Sequence, residues 1–217
     1  MKGGRDKHDR ITVTLKLDGT NVGVLKRDGK LVTLQRKGYD CESSPYRQHH
    51  EFYKWVQTNY ARFDSLLNEG DRIVGEWMWQ ASGIKYEIKG DPFFAFDYFP
   101  HYVEGKERMS WNAMVELLEK EHRPIKTTPL ILDSYKHNIN PLRYGQENVL
   151  THTVFYGKSL PAQPIGVKHE GLVYRVERKG KLDFLAKWVR PDFDPGKYLP
   201  GLNGNPADAH LVLNELI

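Results

Sequence analysis

The sequence predicts an α+β fold in which antiparallel sheets dominate and helices interrupt them irregularly. Three observations carry this expectation. Short apolar runs of strand length outnumber helical stretches. Tight-turn dipeptides, Asp28-Gly29 and Lys179-Gly180, join neighbouring runs as hairpins do. Strands and helices do not alternate in the regular way that builds a doubly wound parallel sheet. In chain order, residues 11–17 (ITVTLKL) and 22–26 (VGVLK) read as strands flanking a turn at Asp18-Gly19-Thr20-Asn21, and Asp28-Gly29 leads into a third strand at 31–36. Residues 51–67 carry Phe52, Trp55, Val56, Phe63, Leu66 and Leu67 close to helical spacing on one face, and Gly70-Asp71 ends that helix. Residues 72–79 (RIVGEWMW) and 93–99 (FFAFDYF) read as buried strands, and 111–121 as a second amphipathic helix, stopped before Pro124. Residues 157–169 are loop-like, 171–177 (GLVYRVE) and 183–190 (DFLAKWVR) form a hairpin, and the Pro- and Gly-rich stretch 191–206 is expected to wrap the surface.

Composition narrows the function classes. A length of 217 residues suits one large domain, or two small lobes sharing a core. No apolar run approaches the ~20 residues of a membrane helix, and residues 1–10 are polar, without the apolar centre of a secretory signal. Cys41 is the only cysteine, so no intrachain disulfide can form and a reducing, cytoplasmic setting is expected. The formal net charge of +4 favours a polyanionic partner, nucleotide or nucleic acid, but only weakly.

Five short segments carry the chemistry. Lys16-Leu17-Asp18-Gly19-Thr20-Asn21 puts a lysine at a strand end immediately before a tight turn, where its amine can enter a pocket and Gly19 permits close backbone approach to a ligand. Taken alone, such a segment is most often a hairpin with a solvated lysine. Gln35-Arg36-Lys37-Gly38 closes the following hairpin and by itself reads as a solvated strand end. Gly75-Glu76-Trp77 sets a carboxylate inside an apolar strand, where it needs either a structural cation or a ligand hydroxyl. Phe93-Phe94-Ala95-Phe96-Asp97 reads first as core strand. Glu170-Gly171-Leu172-Val173-Tyr174-Arg175, followed by Phe184-Leu185-Ala186-Lys187-Trp188, brings a carboxylate to a strand entry and a lysine to the paired strand.

Together, in this order and at this spacing, the segments resemble the covalent lysine nucleotidyltransferases, a superfamily of RNA ligases, DNA ligases and mRNA capping guanylyltransferases. Residues 16–21, Gly75-Glu76-Trp77, 94–99 and 170–175 look most like the ATP-dependent RNA ligase branch, and the resemblance runs over roughly residues 11–192. It implies a nucleotidyltransferase (ATP-grasp-like) fold of antiparallel sheets flanked by helices, with the nucleotide pocket between them. It also implies ATP as co-substrate, Mg²⁺ or Mn²⁺, and RNA with 5′-phosphate and 3′-hydroxyl ends. Lys16 would be the nucleophile that takes up AMP, within a motif that includes Asp18, Gly19 and Asn21. The resemblance assigns Lys187 to the α-phosphate, Glu76 to the ribose hydroxyls and Phe96 to stacking on adenine. It assigns Arg36 to ribose or phosphate, Glu170 to the metal or the lysine, and Arg175 to phosphate. An unperturbed lysine, with a pKa of ~10.4, is a poor nucleophile at neutral pH, so such a site must favour the free amine and offset phosphate charge with cations.

The pattern departs from the family in three places. Many RNA ligases carry Glu before the nucleophile, where this chain has Leu15, so the contact to the adenine amine has to come from backbone or elsewhere. Relatives often carry two lysines one residue apart in the last motif; here Lys187-Trp188-Val189-Arg190 leaves Arg190, shifted by one, as the second cation. Residues 1–217 read as a single catalytic domain, because the ~25 residues after Arg190 are too few for an appended OB-fold or helical domain. A duplex or a protein partner is therefore expected to align the RNA ends. A capping guanylyltransferase or DNA ligase is the alternative within enzymes, and a non-catalytic nucleic-acid-binding module the alternative outside them. His49-His50 lack zinc-ligand spacing, no Walker motif is present, the five tryptophans read as core, and Lys85, Lys89, Arg123 and Lys126 read as solvated surface, with nucleic-acid contact the sharper option.

Overall fold

The computed structural model describes residues 7–101, 107–120, 122–135, 139–147, 154–155, 169–199 and 211–217. The strands are β1 (Arg10–Lys16), β2 (Thr20–Arg27), β3 (Lys30–Gln35), β4 (Arg72–Trp77), β5 (Glu87–Ile88), β6 (Phe93–Phe99), β7 (Leu130–Ser134), β8 (Val154–Phe155), β9 (Gly171–Arg178), β10 (Lys181–Val189) and β11 (Glu215–Leu216). The helices are α1 (Arg47–Thr58), α2 (Tyr60–Leu66), α3 (Trp111–Glu119) and α4 (Pro141–Glu147). Two four-stranded antiparallel sheets, β10-β9-β1-β7 and β3-β2-β4-β6, form the frame. A small parallel sheet, β11-β5-β8, is an addition that the sequence did not suggest. None of the described helices is long and apolar enough to cross a membrane.

Strand alternation divides the interior into two cores. In the first sheet Ile11, Val13, Leu15, Leu172, Tyr174, Val176 and Trp188 point one way and pack with Met78, Ile84, Tyr86 and Phe94. In the second, Val22, Val24, Ile73, Trp77, Phe93, Ala95 and Tyr98 meet Phe52, Val56, Phe63 and Leu66 from α1 and α2, and Trp111, Met114 and Leu118 from α3. Both hairpin turns form as expected. Asp28 (φ 55°) with Gly29 (φ 68°), and Lys179 (φ 50°) with Gly180 (φ 75°), take the consecutive left-handed conformations of a two-residue turn.

Three expectations change. The turn at 18–21 is not a hairpin: β1 and β2 belong to different sheets, and the segment is a crossover between them. The helix expected over 51–67 is two helices broken at Asn59, whose side-chain amide donates to the Trp55 carbonyl (2.9 Å) and caps α1. The third is a bulge in β6. Val74 pairs with Asp97 and Gly75 with Ala95, so Phe96 is an extra residue. Core-facing positions therefore run Phe93, Ala95, Tyr98, and two consecutive residues, Phe96 and Asp97, face away from the helices. The loop expected at 157–169 lies outside the described residues except for its last, and so does the stretch 200–206 of the Pro- and Gly-rich tail.

Gly171 sits on β9 between Lys16 of β1 and Val189 of β10. A Cβ there would overlap the carbonyl oxygen of Trp188, which is held in the β9–β10 ladder. Gly171→Ala should therefore lower stability by about 3 kcal/mol or more, as overpacking against backbone does. Equilibrium urea unfolding checks this, and a loss under ~0.5 kcal/mol would show that the ladder yields.

Candidate functional site

A cavity of about 270 Å³ is lined by residues of both large sheets. From the first come Thr14, Lys16, Val173, Arg175, Leu185 and Lys187; from the second, Asn21, Glu76, Phe96 and Asp97; Arg108, Trp111 and Thr128 are among the other lining residues. The period of two on β1 explains the first set: with Ile11, Val13 and Leu15 committed to the core, Thr14 and Lys16 must face the other side. The register then aligns Thr14 with Val173 and Val173 with Lys187, and sets Lys16 opposite Gly171. On β4 the core takes Ile73 and Trp77, which turns Glu76 toward the cavity.

Lys16 Nζ lies 2.6 Å from Glu170 Oε2. Burial raises the Glu170 carboxyl above its usual range, against the opposing pull of Lys16. Burial also pushes Glu76 up to about 7, partly offset by the charge of Lys16 and by the Gly19 N–H, which donates to Glu76 Oε1 at 3.2 Å. Asp18 is raised by burial too, although its Oδ2 accepts the N–H groups of Gly83 (2.6 Å) and Ile84 (3.0 Å). Lysine and carboxylates are thus concentrated where both sheets meet.

The structure brings Lys16, Asn21, Glu76, Phe96, Arg175 and Lys187 to one cavity, with Glu170 on Lys16. It gives the other expected residues different work. Asp18 anchors the crossover to the 83–84 backbone. Gly19 approaches the protein's own chain, since a Cβ there would lie 2.7 Å from both Met78 Sδ and the Trp77 carbonyl. Arg36 sits in an exposed turn and does not line the cavity. Arg190 donates to the carbonyls of His169 and Asp192 (both 2.8 Å), pairs with the Asp192 carboxylate, and likewise does not line the cavity. Arg175 is present but committed. Its guanidinium bonds Asp97 Oδ1 (2.7 Å), Glu177 Oε1 (2.6 Å) and the Met109 carbonyl (2.5 Å). Thr14, Arg108, Trp111 and Thr128 received no role from the sequence. Asp97 was visible in its motif without one; here it takes Arg108 Nε at 2.8 Å as well as Arg175.

Two variants separate structure from ligand binding. Arg175→Ala leaves the buried Glu177 without its ion-pair partner and Asp97 with Arg108 alone, so it should cost ~3–5 kcal/mol in denaturant unfolding; near-wild-type stability would return Arg175 to the phosphate-binding set. Glu76 tests the pH linkage. Its folded pKa lies above its unfolded value, so between the ordinary carboxylate range and about 7 the folded chain holds a proton that the unfolded chain releases, and stability falls as pH rises through that window. Glu76→Gln should remove that fall. The variant should match wild type near pH ~5 and exceed it by on the order of 2 kcal/mol near pH ~8. A lower stability than wild type at the higher pH would contradict the raised carboxyl.

The sequence model of the RNA ligase family matches residues 9–189. No curated protein matches the chain. Among solved structures, the fold is similar to Naegleria gruberi RNA ligase: to a glutamate-to-alanine variant with ATP and Mn (TM-score 0.59, 17% identity, 85% of this chain and 51% of that one). A lysine-to-methionine variant with AMP and Mn (0.56, 16%, 84% and 50%) and the ligase with PPi (0.57, 16%, 84% and 50%) are similar in the same way. The chain therefore spans about half the length of these structures. The family match covers most of the chain, both large sheets and the cavity between them, and this protein belongs to the RNA ligase family.

Proposed function

We propose that this chain is the adenylyltransferase part of an ATP-dependent RNA ligase. The observation that carries the reading is Lys16, a cavity-wall lysine on Glu170 at 2.6 Å, with Glu76 and Phe96 of the opposite sheet lining the same cavity. The Lys16 amine attacks the α-phosphorus of ATP. The Nζ–P bond forms, the bond from that phosphorus to the bridging oxygen breaks, and pyrophosphate leaves. The proton that Lys16 loses goes to solvent, and Glu170, the carboxylate 2.6 Å from Nζ, orients the amine. Lys187 offsets charge on the α-phosphate, Glu76 and Asn21 hold the ribose, and Phe96 gives a face to adenine. The AMP then moves to the 5′-phosphate of RNA, and a 3′-hydroxyl displaces it to seal the strand.

A divalent cation fits the donor set as a companion of the nucleotide. Among the described residues no three acidic, histidine or cysteine side chains form a metal cage, and Mg²⁺ or Mn²⁺ commonly rests on one or two carboxylates plus substrate phosphates. Glu170 would hold it, and it would supply charge neutralisation. RNA is the proposed partner, with a duplex or a second protein aligning the ends, and the single buried Cys41 supports a reducing cytoplasmic setting. The family match favours RNA joining over cap formation or DNA joining.

Incubation with α-labelled ATP and Mg²⁺ should place one AMP on Lys16, seen by peptide mass spectrometry, and Lys16→Ala should lose it entirely. Glu76→Ala and Phe96→Ala should weaken labelling while circular dichroism stays native. Sealing should be stronger on nicked duplex RNA than on single strands and should fall with salt. Label on another lysine, or equal labelling by GTP, would overturn the assignment.

A further inference from the structure

Thr128 lines the cavity with only 4% of its surface exposed, and among the described residues its hydroxyl oxygen has no hydrogen-bond partner. Its position is set from both sides. The Thr128 N–H donates to the Ala95 carbonyl (2.9 Å), and the Ala95 N–H to the Lys126 carbonyl (2.8 Å). One residue further on, the Pro129 carbonyl accepts the Leu15 N–H (2.9 Å). Residues 126–129 are thus a strap joining the residue before Phe96 to the residue before Lys16, across the seam of the two sheets.

A buried hydroxyl without a partner is costly to the protein and is explained when a ligand completes it. Asp97, Arg108 and Arg175, the charged groups of that wall, already bond one another. Lys16 is the nucleophile, Lys187 the cation for phosphate, Glu76 the ribose acceptor and Phe96 the ring face. The part of a nucleotide left without a polar partner is the edge of its base, and position 15, which could have served it, is a core leucine. We infer that Thr128 reads the base edge: its Oγ1 accepts a hydrogen bond from the exocyclic amine of adenine. A hydroxyl can both accept and donate, so the inference concerns binding of that amine and leaves rejection of guanine to the rest of the pocket. It rests on the proposed ATP chemistry.

The test pairs a protein change with a ligand change. Wild type, Thr128→Val, Thr128→Ala and Thr128→Ser are compared with ATP and with purine riboside triphosphate, which lacks the amine, reading KM and kcat for Lys16–AMP formation. Wild type should prefer ATP by about tenfold in KM, the worth of one buried hydrogen bond. Thr128→Val and Thr128→Ala should raise the ATP KM by about that factor, leave the analogue's KM within about twofold, and preserve kcat; Thr128→Ser should behave as wild type. Thr128→Val should also melt a few degrees higher without nucleotide, because it removes an unpartnered buried hydroxyl. Equal KM increases for both nucleotides, no increase for either, or a lower melting temperature for Thr128→Val would overturn the inference while leaving Lys16 adenylylation intact. Absence of any Lys16–AMP in wild type would instead overturn the proposed function, and this inference with it.

Discussion

The two large sheets are tied to each other at the cavity by a buried ion pair, Arg175 of β9 with Asp97 of β6. The rest of the site is arranged around it. Glu177 takes Arg175 Nε and the backbone N–H of Trp111 (both 2.6 Å), so the start of α3 docks onto the same network. Arg108 takes the second oxygen of Asp97, and the Met109 carbonyl takes Arg175. A buried pair of this kind adds little net stability compared with apolar packing, but a broken one is expensive. Its effect is geometric: the sheet carrying Lys16 and Lys187 is held at one spacing from the sheet carrying Glu76 and Phe96.

The β6 bulge lets the network and the ligand wall coexist. A regular strand would alternate, and only one of Phe96 and Asp97 could face the cavity. The extra residue lets Asp97 reach Arg175 while Phe96 still presents its ring, and Tyr98 returns to the core, where its hydroxyl donates to Asp71 (2.7 Å). Strand β1 meets a similar demand with plain alternation, because its inward residues are all apolar and its outward ones, Arg10, Thr12, Thr14 and Lys16, are polar. A one-residue slip of β1 against β9 would bury Lys16 and expose Leu15.

Local chemistry made much of this legible in the sequence. Asp28-Gly29 and Lys179-Gly180 state their turns in two residues, and Lys16, Glu76, Phe96 and Lys187 stand in motifs whose residue types suit nucleotide chemistry. What could not be read depends on contacts between distant residues. Nothing near Asp18 indicates that its carboxylate will hold the N–H groups of Gly83 and Ile84, and nothing near Arg175 indicates Asp97. Gly19 was expected to permit close approach of a ligand, and nothing near it in sequence indicates that Trp77 and Met78 will stand where its Cβ would be. The strap at 126–129 has no periodicity to betray it, because its bonds run to Ala95 and Leu15 on two other strands. Arg190, expected as the second cation, lies just beyond the end of β10, where its side chain bonds the chain around it and does not line the cavity.

The electrostatics of the cavity bear on the proposed chemistry. Glu76 and Glu170 each stand close enough to Lys16 to feel its charge, as does Asp18, and burial raises all three carboxyls. An acidic wall of this kind repels a bare triphosphate. On the proposed chemistry that obstacle is relieved when the nucleotide arrives with its cation, because positive charge beside Glu170 lowers the repulsion between the phosphates and the carboxylates. The acidity of the cavity thus favours the cation-bound nucleotide over the bare one.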